Sequence, residues 1–460
     1  MSPVKAIRSV LVSAVFAALS ACSLTPAYER PAATLPDEWP STAPADAVSV
    51  ARWDEMFGSE ELRDLMAQAL AANHDLAAAK ARIEQARASA SIARARLLPY
   101  ASAGVSASRN REGDGENRSL RSTDQSLLTV GYEADLFGGY RAAAGAAQAR
   151  LAASEFDWDA TRLVLQADVA SYYVQVLALK DRLAIARKNL EVARELMSLV
   201  EVRFRNGAAS ALEVAQQRAT LLSVEAEVPA LQQSLVETQS ALAVLVGRSP
   251  EGFEVEATTL AALTLPGIAP GQPAELLQRR PDVRAAEARL VAAHADIGAA
   301  RAALYPSLQL SGSTGVTGWL TGGSSTIASL AASLAQTIFD GGELRGQVRL
   351  TEAVREELVE SYLQAVLTST KDVHDSLSAV QTTQARIELL TQNVEEARTA
   401  LRIATARYRA GTDDLLALLE TQRSLFSAEA NLVQARLDRL NASIGLFKAL
   451  GGEWSEAGQS

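Results

Sequence analysis

Residues 203–227 read RFRNGAASALEVAQQRATLLSVEAE, and residues 407–431 read RYRAGTDDLLALLETQRSLFSAEAN. Arg203 matches Arg407, Arg205 matches Arg409, Gly207 matches Gly411, Leu212 matches Leu416 and Glu225 matches Glu429, at a constant offset of 204 residues. The chain therefore writes one turn twice. Upstream the match continues at an offset of 207, with Asp75 against Asp282, Arg82 against Arg289, Arg94 against Arg301 and Pro99 against Pro306. In between, Gly138-Gly139 answers Gly341-Gly342 at an offset of 203. Self-similarity this long, with such small gaps, marks a duplication. Each half has the order helix, proline-started strand, polar loop, strand, Gly-Gly, very long helix, turn, long helix. The halves span 59–248 and 271–450, with an equatorial linker over 249–270 and a tail over 451–460.

The helices carry heptads. Leu183, Leu190 and Met197 stand seven apart, with Ala186, Ala193 and Val200 offset by three. In the second half Ile387, Val394 and Leu401 stand seven apart, with Leu390, Ala397 and Ala404 offset by three. Both halves share this coiled-coil register. From Tyr140 to Phe204 only Gly145 interrupts the helix formers. Such a helix reaches on the order of 100 Å at 1.5 Å per residue. Gly207 closes it in the left-handed conformation, and Ser210 caps the return helix. Gly411 closes the second, with Thr412, Asp413 or Asp414 as the cap. Each repeated stretch is thus the tip of a long helical hairpin.

Strands show as period-two alternation. Ala101, Ala103, Val105 and Ala107 alternate with Ser102, Gly104, Ser106 and Ser108. Leu128, Val130, Tyr132, Ala134 and Leu136 alternate with Thr129, Gly131, Glu133 and Asp135. Leu308 and Leu310 alternate with Ser307, Gln309 and Ser311, and Leu330, Ala332 and Leu334 with Ser329, Ala331 and Ser333. The hairpins are expected over about 99–136 and 306–338. Each run has the roughly 10-residue length of a transmembrane β-strand. Arg109 to Asp124 is highly charged and is expected to be an exposed loop.

The N-terminus carries an export signal over residues 1–21. Lys5 and Arg8 form the positive region, and Val10 to Leu19 an apolar stretch too short to span a bilayer. Leu19-Ser20-Ala21-Cys22 follows, and resembles a lipobox in which the cysteine thiol is acylated. Cys22 is the only cysteine, which excludes an internal disulfide framework. Ser23, where an aspartate would signal retention in the inner membrane, favours the outer membrane. Residues 22–58 read as an acylated, extended tether.

Composition narrows the function. The chain has 460 residues, 48% hydrophobic but only 5% aromatic, which suits closely packed helices rich in alanine and leucine. A net charge of −10 with no basic block argues against nucleic acid as a partner. The three histidines, His74, His294 and His374, lack ligand spacing, so neither a metal nor another cofactor is implied beyond the lipid at Cys22. No phosphate loop or nucleophile elbow is present, so an enzyme is not expected.

Four strands cannot close a barrel, and open edges are not tolerated in lipid. Other copies must complete it. Two copies give eight strands, whose interior is filled by side chains, whereas three give twelve and leave a lumen. Glu133, Asp135 and the serines suit a wet lumen. The expected fold is therefore mainly α with membrane β: a trimeric twelve-stranded β-barrel, four strands per chain, continuous with a long periplasmic α-helical barrel. The rival reading is a structural coiled-coil lipoprotein, which has no use for four lipid-length alternating segments.

The chain resembles the outer-membrane efflux family typified by TolC and OprM, in its lipoprotein branch. Residues Leu276-Leu277-Gln278-Arg279-Arg280-Pro281-Asp282-Val283-Arg284-Ala285-Ala286-Glu287, running on to Tyr305-Pro306-Ser307, carry the resemblance most specifically. Arg407-Tyr408-Arg409-Ala410-Gly411, the closing Ala449-Leu450-Gly451-Gly452-Glu453-Trp454 and the early Trp53 to Phe57 segment add to it. The resemblance implies a homotrimeric exit duct of a tripartite pump. A periplasmic adaptor and an inner-membrane transporter of the RND type are its implied partners, and drugs, dyes and detergents its cargo. It also implies a periplasmic gate at the second tip, where Leu416, Glu420 and Arg423 match a leucine, an acid and an arginine of the family pattern. Arg407 and Tyr408, before the turn, would reach across. The first hairpin keeps Leu212 but has Gln216 and Ala219 in place of the charged pair. Ala417 stands where TolC has a second acidic ring, which favours a single ring. Gly207 and Gly411 would mark where adaptor tips dock. Asp282 is expected to cap its helix.

Overall fold

The computed structural model describes residues 24–39, 57–112, 119–264, 272–320 and 322–452. The export signal, Cys22, Trp53, and Glu453-Trp454 lie outside them. The chain forms two compact units that cut across the repeats. One takes Ala81–Phe156 and Ala285–Gln364 with the N-terminal segment to Ala33; the other takes Thr34–Lys80, Asp157–Arg284 and Ala365–Ser460. Each unit is therefore assembled from corresponding parts of both halves.

The first unit holds a four-stranded antiparallel sheet in the order β1 (Tyr100–Glu112), β2 (Ser119–Ala134), β3 (Ser307–Thr317), β4 (Ser325–Ala335). Pro99 and Pro306 precede β1 and β3, where a missing N–H costs nothing to the ladder. The register sorts the side chains by rung. Ala101, Val130, Gly312 and Leu330 stand opposite one another, and so do Tyr132, Leu310 and Ala332. On the other side of the Val130 rung come Ser102, Thr129, Ser313 and Ser329, with a 2.8 Å hydroxyl hydrogen bond between Ser313 and Ser329. Residues directly opposite in an antiparallel pair share a face, so the sheet has one apolar and one polar side. On the apolar side Val105 (69%), Leu330 (89%) and Leu334 (67%) are exposed in the single chain. Among the described residues, the edges at β1 and β4 carry no further strand.

The expected loop over Arg109 to Asp124 is shorter than its charge suggested. Pairing runs on through Arg109↔Ser122, Asn110↔Arg121 and Glu112↔Ser119. Ladder hydrogen bonds join backbone groups, so polar side chains do not end a strand where they reach water.

The long helices follow the Gly-Gly pairs. Two shorter ones, α1 (Glu60–Ala72) and α2 (His74–Ala95), precede the sheet. The first hairpin is α3 (Gly139–Arg205) and α4 (Ala211–Leu245). A short α5 (Leu276–Arg279) leads into α6 (Pro281–Ala302), and the second hairpin is α7 (Glu343–Ala410) and α8 (Leu415–Ala449). At 67 and 68 residues, α3 and α7 each extend about 100 Å. Leu183, Ala186, Ala193, Met197, Val200, Val394, Ala397, Leu401 and Ala404 of the heptad register are buried; Leu190, Ile387 and Leu390 are half-buried. No helix among the described residues is long and apolar enough to cross a membrane.

The second unit is built around a core of Phe57, Leu62, Met66, Tyr173, Leu177, Leu242, Leu276, Leu440 and Phe447. Three of its polar side chains, Ser59, Glu61 and Tyr173, bond to one another or to nearby amides. Glu61 accepts from the Glu256 and Ala257 amides (2.5 and 3.1 Å) and from the Tyr173 phenol (3.0 Å), which also meets the Ser59 hydroxyl at 2.9 Å. Burial, with the Glu61 charge, pushes the Tyr173 phenol up to about 12. Lys180 donates to the Val255 and Ala257 carbonyls, so α3 pins the linker between the repeats.

Arg280-Pro281-Asp282 is the other fixed point. Pro281 takes the first helical position of α6, which suits its missing N–H. Asp282 therefore sits inside the first turn and is not the cap. It grips Arg280 through two bonds of 2.9 and 2.6 Å, while Arg280 also donates to Asp372 (3.0 Å) and to the Ala449 carbonyl (3.3 Å). One buried guanidinium thus ties α6 to α7 and to the end of α8. Burial opposes ionisation of Asp282, but the Arg280 guanidinium outweighs it and holds the carboxyl below the usual range. The stabilisation is present above the ordinary carboxylate pKa and is lost as pH falls through the depressed one. Arg280→Ala strands Asp282 and Asp372 and is expected to cost about 3 kcal/mol. Melting temperature against pH in detergent checks both points: the variant should melt lower at neutral pH, and the gap should narrow below about pH 4.

Candidate functional site at the paired helix tips

Both hairpin tips lie in the second unit, and both close by the same device. The Gly207 amide donates to the Phe204 carbonyl (3.0 Å) and the Ala208 amide to the Arg203 carbonyl (2.8 Å). The Gly411 amide donates to Tyr408 (3.1 Å) and the Thr412 amide to Arg407 (3.0 Å). This paired bonding is the Schellman closure, which requires a left-handed residue after the helix. Gly207 and Gly411 supply it, at φ of 72° and 75°. The return helices are capped differently. Ser210 and Glu213 form a reciprocal capping box, 3.2 Å and 2.6 Å. In the second tip Asp414, alone of the three candidates, accepts from the Ala417 amide at 3.1 Å. The repeated spelling is therefore the closure of a hairpin.

A second duplicated feature clamps each hairpin above its tip. Arg194 meets Glu225 at 3.0 Å across the first, and Arg398 meets Glu429 at 2.8 Å across the second. These are the same residues at the offset of 204. Their settings differ, because Glu429 is 5% exposed and Glu225 is 49% exposed.

The twin arginines diverge. Arg203 leaves its own hairpin, stacks over the Tyr408 ring with its guanidinium carbon 4.2 Å from the centroid, and donates to the Tyr408 carbonyl. It also donates to the Ala208 carbonyl at 3.1 Å. Tyr408 is fully buried, and its phenol donates to Glu213 of the first hairpin at 3.4 Å. Burial first, and the Glu213 charge second, raise that phenol's pKa. Arg203, Tyr408 and Glu213 together bolt the two tips of one chain to each other. Arg203 and Glu213 were not singled out from the sequence. The capping-box spacing from Ser210 to Glu213 was the one signal available for Glu213.

The expected gate residues fall into two groups. Leu416 is 62% exposed, and Glu420 and Arg423 lie 3.9 Å apart on one face of α8, 61% and 79% exposed. An ion pair so exposed contributes about 0.3–0.5 kcal/mol, so stability does not explain it. Arg407 does not join them: it pairs with Asp413 in its own turn at 2.8 Å. Tyr408 faces inward, against Arg203. Leu416, Glu420 and Arg423 thus form a solvent-facing set, whereas Tyr408 belongs to the bolt within the chain.

The family model for outer membrane efflux proteins matches residues 65–248 and 273–452, one segment in each half. The chain belongs to the outer membrane efflux protein family. Among its relatives, the pyoverdine export outer membrane protein OpmQ of Pseudomonas aeruginosa is 40% identical over 456 residues, 95% of each chain. Outer membrane protein OprJ of the same organism is 35% identical, covering 97% of this chain and 96% of that one. The solved outer-membrane channel OprN superposes with a TM-score of 0.88 at 31% identity, over 94% of this chain and 99% of that one. The open state of the MtrE outer membrane channel of Neisseria gonorrhoeae gives 0.83 at 28% identity, over 95% and 100%. The chain is accordingly an outer-membrane efflux channel subunit that reaches into the periplasm. It has the fold these channels share, in which each chain supplies four strands to a trimeric barrel and long hairpins to a helical one. Members of the family are channels rather than enzymes.

The closing glycines provide a direct test. Gly411→Ala forces a side chain into the left-handed region and is expected to cost about 1–2 kcal/mol. Gly145→Ala, inside α3 with nothing within 4 Å of the added carbon, is expected to gain about 0.5–1 kcal/mol. Melting temperatures of the two variants should move in opposite directions.

Proposed function

We propose that this chain is the exit duct of a tripartite pump, passively passing drugs and other small toxic compounds to the exterior. The duct is a homotrimer, anchored by lipid on Cys22, and held shut at rest by a ring of second tips. The observation that carries this reading is the sheet: one apolar face over four strands, one polar face, and two open edges. Only closure with further copies satisfies those edges in hydrocarbon. A coiled-coil scaffold leaves such a sheet without purpose.

In the gate, Leu416, Glu420 and Arg423 meet their counterparts from other copies near the axis. Their exposure in the single chain supports this, since a leucine and two charges on a helix beside a tip have no partner of their own beyond each other. Arg407 holds the turn in shape, and Tyr408 transmits the position of the first tip to the second. Gly207 and Gly411 mark the ends where a periplasmic adaptor docks, with an inner-membrane transporter of the RND type behind it. Acyl chains on Cys22 contribute about 0.8 kcal/mol per buried methylene, which anchors without spanning.

Conductance in planar bilayers tests the duct and its gate together. Wild-type protein is expected to give low conductance, and the Glu420→Ala, Arg423→Ala double variant a severalfold higher one. Inserted protein that never conducts, wild type or variant, would sink the duct. High conductance in both would move the gate elsewhere. For the anchor, the intact mass of the mature chain should correspond to a start at Cys22 plus acyl groups; a free thiol there would refute it.

A further inference from the structure

The N-terminal segment does not hang free. From Thr25 to Arg30 it lies along α6, within the first compact unit. Arg30 makes a bidentate pair with Glu287 at 2.6 and 2.9 Å, and the Tyr28 phenol donates to the same carboxylate at 3.3 Å. The buried His294 ring donates to the Pro26 carbonyl at 2.9 Å and meets the Tyr28 ring edge-on, with centroids 5.8 Å apart. Thr25 sits against Gly298, where an added Cβ would stand 2.9 Å from the Thr25 Cβ and 3.0 Å from its Cα. The Cα is backbone, so no rotamer change makes room. Glycine weakens a helix interior; at position 298 it admits Thr25.

These contacts share one register. Glu287 and Gly298 are eleven residues apart, about 16 Å along a helix. Arg30 and Thr25 are five apart, about 17 Å in extended chain. The segment is therefore a strap laid antiparallel to α6. The duplication provides an internal control. At the offset of 207, α2 has Lys80, Arg87 and Ser91 where α6 has Glu287, His294 and Gly298. All three are exposed. Lys80 would repel Arg30, and a Ser91 side chain would meet Thr25. Both helices have 22 residues, so the framework forms without the seat. The seat is matched to the strap.

The strap changes the length of the lipid leash. Cys22 stands three residues before Thr25, hence within about 10 Å of it. Gly298 lies one turn before the end of α6, and β3 begins at Ser307. The seated strap therefore brings the lipid to the foot of the sheet. With the strap released, the next hold on the segment is Trp39, packed on the core of the second unit. The leash then has 17 residues, from 22 to 39, instead of three. Effective concentration at the far end of a flexible leash falls roughly as the −3/2 power of its length, here about tenfold.

We infer that Thr25–Arg30 is a strap that shortens the leash of the acylated Cys22, holding β1 to β4 at the bilayer surface so that they insert faster. The inference rests on the lipid-anchor reading above and adds to it a seat, Glu287, His294 and Gly298, and a kinetic task.

The test follows full-length protein in cells, as the rate at which newly made chains become detergent-resistant trimer in the outer membrane. Arg30→Glu and Glu287→Arg are each expected to slow that rate about tenfold. Combined, they restore the pair and should return the rate to within about twofold of wild type. A photocrosslinking residue at Ala27 should capture α6 in wild type and in the double variant, but not in the single ones. Each variant is repeated in a form exported by an ordinary cleavable signal with Cys22→Ser, where no lipid is attached. There the strap substitutions should leave the rate unchanged. Equal slowing with and without lipid would make the strap an ordinary brace of α6 and overturn the inference. So would a normal rate in acylated protein whose crosslink to α6 is lost, or a wild-type crosslink that misses α6. If the charge variants stay seated or fail to fold, Gly298→Leu, which fills the Thr25 seat, decides by the same readouts. A mature mass without acyl groups would bring down the anchor reading itself, whatever the crosslink shows.

Discussion

An unpaired strand edge in hydrocarbon is the constraint on which the rest of the molecule depends. Backbone groups at the outer edges of β1 and β4 meet no further strand among the described residues, and lipid offers none. The sheet nevertheless has one consistently apolar face, fixed by the rung Ala101, Val130, Gly312, Leu330. A chain built this way is an arc of a barrel. The requirement for further copies then extends to the helices, because hairpins that follow each strand pair are carried into the same assembly. The exposed apolar stripe of α4, with Leu222 at 58% and Val236 at 58%, has the same meaning.

Duplication solves the supply problem at little cost. One half contributes two strands and a hairpin, so writing it twice doubles both at once. Features that every hairpin needs are retained in both copies: the Schellman glycine and the arginine–glutamate clamp of Arg194–Glu225 and Arg398–Glu429. Features that concern a particular surface have diverged. Arg203 crosses to Tyr408 while its twin Arg407 stays within its turn. The charged pair Glu420–Arg423 has no counterpart in Gln216 and Ala219. Divergence against a constant framework is what separates functional residues from structural ones in this chain.

Packing follows from the low aromatic content. Small side chains let the helices approach, and only a few large ones are fully buried among them. Tyr173, Tyr362, Tyr408, Phe57 and Phe447 are the bulkiest fully buried side chains. Of these, Tyr173 and Tyr408 each carry a hydroxyl bonded to a glutamate from another element. In giving these two buried phenols a partner the chain ties distant segments together. Arg280 does the same with charge, drawing Asp282, Asp372 and the Ala449 carbonyl to one point.

The sequence by itself determined the periodic features. Heptads at Leu183 and Val394, alternation at Val105 and Leu330, and the glycines at 207 and 411 each express a local geometric requirement that a single residue type satisfies. Strand number and lipid-length runs were enough to demand more than one copy. Tertiary structure alone decided where the irregular contacts go. Arg203 and Arg407 occupy the same place in the repeat; Asp413, where the first turn has Ala209, gives Arg407 a local partner, but nothing local sends Arg203 to Tyr408. Nor could spacing tell that Asp282 serves Arg280 rather than a helix cap, or that Arg398 finds a buried Glu429 while its twin Arg194 finds an exposed Glu225. Those choices depend on which side chains from residues far away in the chain arrive within a few ångströms, and no periodicity encodes that.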